Sequence, residues 1–290
     1  MSPVIELRDV KRRFGAREVL RGVTAEASEG RIIGLLGRNG EGKTTLFRIL
    51  LDILARDSGT VRVLGRSPDG SAEIRRLAGY VPERPAFHDS MTVGEVLSYR
   101  KGHFPAWNDE KAGQLLQRLK LDADTRIRGA SKGTLGKLAW VCAVAHDPRI
   151  LFLDEPTSGL DALVREEVLG ALITELQEAG RTIVVASHRM EEFAGLLDEV
   201  WVLSDGVIAA SHEMQALRAA ACRVRGRLKE GRSLPEDPRL IDACVEGAVA
   251  DFAALDGKPF EDLRASGVFE SAEKVPLPAD AIMRLLLKRY

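Results

Sequence analysis

The spacing of apolar and polar positions changes several times along the chain, and each change predicts an element. Up to Gly65, short apolar stretches at Val4–Leu7, Val23–Ala27, Arg31–Leu36 and Thr60–Leu64 are broken by glycines at 15, 22, 30, 59 and 65, a pattern of strands separated by turns. After Gly42 the spacing becomes helical, with Leu46, Ile49, Leu50 and Ile53 on one face. From about Arg84 to Pro148 the chain reads as mostly helical. Thr92-Val-Gly-Glu95 has the form of a capping box, and Asn108 or Asp109 suits a second helix start. Strands return at Ile150–Asp154 and Thr182–Ser187, around a helix predicted from about Ala162 to Ala179. Val200–Leu203, Asp205-Gly206 and Val207–Ala210 read as a hairpin. Beyond about Ala219 come short alternating segments and a final helix carrying Ile282, Leu285 and Leu286.

Strands alternating with helices predict an α/β core with a parallel sheet, and the stretch at about 84–148 predicts a helical insertion within it. Residues 1–218 are expected to form the main domain and 219–290 a small α/β appendage. Composition narrows the choice of partners. Lys+Arg of 42 against Asp+Glu of 43 gives a formal charge of -1, which exerts no general pull toward nucleic acid or an anionic membrane. Cys142, Cys222 and Cys244 form no CxxC pair, which argues against zinc or a disulfide framework and fits a reducing cytosol. The start of the chain lacks the basic region and apolar stretch of a secretory leader. The longest apolar runs, such as Leu138–Ala145, fall well short of the ~20 residues that span a bilayer. Any path across a membrane must come from another chain.

Gly37-Arg-Asn39-Gly40-Glu-Gly42-Lys43-Thr44 fits the P-loop pattern GxxxxGK[ST], placed between an apolar strand and a helix and followed by Thr45. Its glycines let backbone N–H groups curl around phosphate oxygens, and the helix N-terminus adds a favourable dipole. Lys43 suits the β- and γ-phosphates and the Thr44 hydroxyl suits Mg²⁺. Downstream, Arg149-Ile-Leu-Phe-Leu-Asp154-Glu155 is an apolar strand ending in two carboxylates. Asp154 suits a Mg²⁺ ligand, direct or through water, and Glu155 suits a group that polarises the attacking water. His188 closes the strand Thr182–Ser187, at the edge where parallel sheets bind ligands, and is expected at the γ-phosphate.

The ordered set Gly37–Thr44, Ser131-Lys132-Gly133, Leu151–Glu155, Gly159-Leu160-Asp161 and His188 resembles the ATP-binding cassette (ABC) family over about residues 3–215. Ala130-Ser-Lys-Gly-Thr134 is similar to the family's signature, LSGGQ. The resemblance implies a P-loop ATPase core with a parallel sheet, an N-terminal antiparallel β subdomain and an inserted helical subdomain. It further implies two cassettes packed head to tail, expected to be identical copies, with each ATP held between the P-loop of one copy and the signature of the other. Ser131 and the Gly133 N–H would then contact the γ-phosphate in trans, and Asp161 would lie at the dimer seam. Phe14 stands where the family stacks an aromatic ring on adenine; the alternative is a core phenylalanine. Glu83, in Gly79-Tyr-Val-Pro-Glu83, occupies the place of a glutamine that senses γ-phosphate and Mg²⁺, and so joins both the catalytic and the metal-binding candidates. Glu83, Lys132 in place of a signature glycine, and Phe104-Pro-Ala-Trp107 resemble exporter ATPases encoded apart from their membrane subunits.

The resemblance thus implies an ATPase using ATP and Mg²⁺, cytoplasmic and peripheral on the inner face of the membrane through a transmembrane permease. A soluble cassette acting on ribosomes or DNA is the alternative. The insertion is expected to receive a cytoplasmic helix of the permease. Val93 and Val96 are expected in its core, and Phe104 with Trp107 on an exposed docking surface.

Overall fold

A computed structural model describes residues 3–159, 165–166, 169–170 and 180–290. The chain divides into two compact units, residues 1–188 with 203–208 and residues 189–202 with 209–290. The second unit thus begins earlier than the composition shift near Ala219, taking in the chain from Arg189 onward except for the hairpin tip.

In the first unit, β1 (Ile5–Phe14) and β2 (Arg17–Ala27) precede β3 (Ile32–Leu36), α1 (Lys43–Leu50) and β4 (Ser58–Val63). β1, β2 and β4 form a 3-stranded antiparallel sheet in the order β2-β1-β4. β1 and β2 run well beyond the apolar stretches that announced them. Their outer halves alternate toward solvent and carry charge, as at Lys11, Arg12 and Arg13, so hydrophobicity alone hides them. α1 ends at Leu50, one turn short of expectation. Ile53 therefore leaves the buried helix face and is 53% exposed.

The chain continues through α2 (Glu73–Leu77), β5 (Ala78–Val81), α3 (Val93–Lys101), α4 (Asp109–Arg118), α5 (Lys132–Val144), β6 (Ile150–Asp154) and β7 (Thr182–Ser187). β5, β6, β7 and β3 lie side by side in that order, and all their pairings are parallel. Every residue of β6 and β7 is buried, which is why both read as continuous apolar runs rather than alternating ones. The register pairs Leu36 with Ser187 and Asp154 with Ala186, so three strands deliver their C-terminal ends to one edge. β5 is short and escapes sequence inspection. A Cβ on its Gly79 would stand 2.3 Å from the Ala143 carbonyl oxygen and 2.4 Å from Leu151 Cδ2, so only glycine lets α5 approach this closely.

The insertion has the predicted capping chemistry. The Glu95 N–H donates to Thr92 Oγ1 at 3.3 Å, and the Thr92 N–H donates to Glu95 Oε2 at 2.8 Å. Asn108 caps α4 by accepting from the Lys111 N–H at 2.9 Å. Val93 and Val96 are buried. Phe104 is buried too, against the expectation of an exposed docking pair. Its ring stacks on the buried His146 at 4.2 Å between centroids, and Arg100 lies 4.6 Å from it. Trp107 is half-buried and donates its Nε1–H to Asp109 at 3.2 Å.

In the second unit, the outer arms of β8 (Glu199–Ser204) and β9 (Val207–Glu213) lead into α6 (Met214–Ala220) and β10 (Cys222–Leu228). β11 (Ile241–Glu246), β12 (Val249–Ala254), α7 (Lys258–Ala265), β13 (Phe269–Pro276) and α8 (Ala279–Arg289) follow. A 4-stranded antiparallel sheet in the order β11-β12-β10-β13 packs Val224, Phe252 and Phe269 with Phe260 and Leu263 of α7. α8 buries Ile282, Met283, Leu285 and Leu286, as its spacing predicted. The helix expected at 162–179 lies mostly outside the described residues.

Candidate functional site

The turn from β3 into α1 forms one wall of a cavity of about 590 Å³. Gly42, at φ 103, is the N-cap of α1, and a Cβ there would meet Leu20 Cδ2 and Val19 Cγ1 at 2.9 Å. Both the left-handed backbone and the close packing demand glycine. Asn39, Gly40, Gly42 and the side chains of Lys43, Thr44 and Thr45 line this wall. Gly37 contributes through its backbone, accepting from Lys43 Nζ at 2.7 Å; the Arg38 carbonyl accepts from the same ammonium at 3.2 Å.

The ends of β6 and β7 supply the opposite wall, with Asp154, Glu155 and His188, and Glu83 follows shortly after β5. Thr44 Oγ1 donates to Asp154 Oδ2 at 2.7 Å, while Asp154 Oδ1 is buried with no partner. Burial raises the Asp154 pKa, the charges of Glu155 and Glu83 add to the rise, and the Thr44 hydrogen bond opposes it. An unpartnered buried oxygen on an acid beside a threonine hydroxyl suits a hard divalent cation, whose chemistry calls for oxygen ligands.

Glu155 is nearly enclosed and tightly oriented. The Ser187 hydroxyl donates to its Oε2 at 3.1 Å and the His188 N–H to its Oε1 at 2.9 Å; His188 Nδ1 lies 2.8 Å from Oε2. Lys43 Nζ stands 3.5 Å from Oε1. The Glu155 backbone is left-handed, at φ 48, a conformation that costs on the order of 1 kcal/mol for a non-glycine residue. The turn that aims this carboxylate is therefore strained.

Other candidates lie apart from this cavity. Phe14 is 48% exposed with the Arg12 guanidinium 4.8 Å from its ring centroid, so it is not a core residue; Arg17 and Val19, nearer the phosphate loop, line the cavity instead. Ser131 is the N-cap of α5, accepting from the Thr134 N–H at 3.1 Å, and Gly133 sits in the first turn of that helix. Neither lines the cavity. Asp161 falls outside the described residues.

Sequence inspection missed Arg17, Val19 and Ser158 in the lining, and Ser187 and Tyr80 as partners of the two acids. Ser187 and Tyr80 are isolated polar positions within apolar strands, a signal too weak to mark them before the strand pairing is known.

Fold and site together define an α/β P-loop nucleotide-binding domain. The model of the ABC transporter family matches residues 20–158. An uncharacterized ABC transporter ATP-binding protein of Methanocaldococcus jannaschii is 35% identical over 212 residues, covering 71% of this chain and 76% of that protein. Nod factor export ATP-binding protein I of Paraburkholderia xenovorans is 34% identical over 222 residues, covering 74% and 73%. Among solved structures, an ATP-binding subunit of an ABC transporter superposes with a TM-score of 0.67 at 24% identity, over 74% of this chain and 92% of that one, a likeness of fold. The chain belongs to the ABC transporter ATP-binding family. ATP binding and hydrolysis come with that membership, and the soluble alternative is not favoured by these relatives. Among the described residues, no helix is long and apolar enough to cross a membrane.

Proposed function

We propose that this chain hydrolyses Mg²⁺–ATP as one half of an ATP-clamped homodimer and so drives export through a separate transmembrane subunit. The observation that carries the catalytic part is the convergence of Lys43, Thr44, Asp154, Glu155 and His188 on one cavity. Lys43 and the backbone of Gly37–Gly42 would bind the β- and γ-phosphates, with Asn39 and Thr45 flanking them. Thr44 and Asp154 would hold Mg²⁺, with Glu83 joining through water. A cation held by these residues would supply neutralisation of the negative charge on the β- and γ-phosphates. Glu155 orients and polarises the attacking water; Ser187 and His188 hold its carboxylate, and the His188 ring reaches the γ-phosphate. Phe14 would stack on adenine, while Ser131, Gly133 and Asp161 would complete the site of the second copy.

A groove of about 470 Å³, walled in part by Phe87, Tyr99 and Arg100, is where we place a cytoplasmic segment of the transmembrane subunit. This attachment would hold the chain at the inner face of the membrane, with no role for nucleic acid. The export direction is supported by the name of the Paraburkholderia relative and by Glu83.

The decisive measurement is ATP turnover by Glu155→Gln. Loss of about a hundredfold or more is expected with ATP binding retained, because general-base removal acts on the chemical step. Lys43→Ala should weaken ATP binding itself. Full turnover by Glu155→Gln would overturn the assignment.

A further inference from the structure

The phosphate cavity and the groove share a side chain. Tyr80 sits in β5 opposite Phe152, and its half-buried ring lines the groove together with Pro82, Phe87 and Tyr99. From that wall its hydroxyl donates to Asp154 Oδ2 at 3.4 Å, the same oxygen that accepts from Thr44. Its backbone is fixed in register with β6 through Gly79, Tyr80 and Val81, and the Arg48 side chain also interacts with its hydroxyl. At 3.4 Å the hydroxyl contact is long for an O–H···O bond, which prefers about 2.7–2.8 Å. A ring displacement of a few tenths of an ångström would therefore either tighten this bond or abolish it.

We infer that Tyr80 is a positioning residue that reports occupancy of the groove to the Asp154 carboxylate. A cytoplasmic segment of the transmembrane subunit seated in the groove would press the ring inward, shorten the bond to Asp154 Oδ2 and fix that oxygen beside Thr44, leaving Oδ1 available to a cation. The inference rests on Asp154 as a cation ligand and on the groove as the place of attachment, and goes further in giving Tyr80 a role between them.

Binding, read apart from turnover, tests this. In a Glu155→Gln background, affinity for a fluorescent ATP analogue is measured across a Mg²⁺ titration and in EDTA. Tyr80→Phe keeps the ring and should raise the Mg²⁺ concentration for half-maximal tightening by about twofold, the low end of what a hydrogen bond contributes, with EDTA affinity unchanged. Groove occupancy is mimicked by Ala86→Cys, an exposed position on the groove, modified with a bulky maleimide after Cys244→Ser. The adduct should shift the Mg²⁺ midpoint in the Tyr80 protein and not in Tyr80→Phe; the same reagent on native Cys244 should be silent. A Tyr80→Phe midpoint equal to the parent's, an adduct without effect, or an adduct acting equally in both backgrounds would overturn the inference. Asp154→Asn separates the two levels: if that variant also leaves the Mg²⁺ dependence untouched, the cation assignment itself has failed.

Discussion

Glu83 sets an electrostatic problem for the site, because it brings a third carboxylate to a cavity that already holds Asp154 and Glu155. Its charge adds to the rise in the Asp154 pKa. It pairs with the largely exposed Arg84, whose Nε lies 4.0 Å away, and such a surface pair is worth at most about 1 kcal/mol. A bound divalent cation would relieve the repulsion far better. Glu83→Gln should therefore keep part of the ATPase rate and bind Mg²⁺-free ATP more tightly, whereas Glu83→Ala should lose more of the rate. Steady-state turnover and EDTA-phase binding of the two variants decide it; equal and unchanged rates in both would make Glu83 a solvated loop residue. At this scale the sequence was most informative where spacing carries chemistry. Gly37–Thr44 and Asp154-Glu155 could be picked out by residue type and order alone. Tyr80 and Ser187 could not, because a single polar residue in a strand gains its meaning from the neighbour that pairing brings to it.

Elements were legible in proportion to how strongly local rules shaped them. The capping box at Thr92 and the fully apolar β6 and β7 followed from local chemistry, whereas β5 and α2 are too short to show a period. Phe104 was misplaced because tertiary packing, which no local pattern reports, sets it on His146 just beyond α5. That histidine is itself informative. It is buried, and its Nε2 lies 3.2 Å from the Ala78 carbonyl oxygen. Burial pushes its pKa down to about 4. Above the unfolded value of about 6.5 the ring is neutral in both states and costs nothing. As pH falls from there toward 4, the unfolded chain takes a proton that the folded chain refuses, so stability is lost across that window. Between pH 7 and pH 5 the loss from this one group should be about 1–2 kcal/mol. His146→Gln keeps a donor for the Ala78 carbonyl and removes the titration. Urea unfolding at the two pH values, followed by tryptophan fluorescence, should show a smaller drop in the variant by that amount; an equal drop would assign the acid sensitivity elsewhere.

On the scale of the whole molecule, the cavity contains the phosphate loop, Asp154 as the proposed cation ligand and Glu155 as the proposed water-orienting acid, but neither Ser131 nor Gly133. Under the proposed function, a complete site built from these parts would need a second copy. Ser131 offers a clean test because its present duty is known: its hydroxyl caps α5. Aspartate caps helices about as well as serine and is favoured at a helix N-terminus, so Ser131→Asp should fold normally. Its charge would nevertheless face the γ-phosphate bound by the other copy, and repulsion there should open the dimer. With ATP present, Glu155→Gln should pass from the 31.7 kDa single chain to twice that mass by light scattering, and Ser131→Asp added to it should not. Mixing then separates a dimer effect from local damage. A Lys43→Ala copy lacks ATP binding but has a sound signature helix; a Ser131→Asp copy has the reverse. Each is expected to be nearly inactive alone, while their mixture forms one intact composite site in each mixed dimer and should recover a measurable fraction of the ATPase rate. A mixture no more active than the sum of its parts would show that Ser131 acts within its own chain.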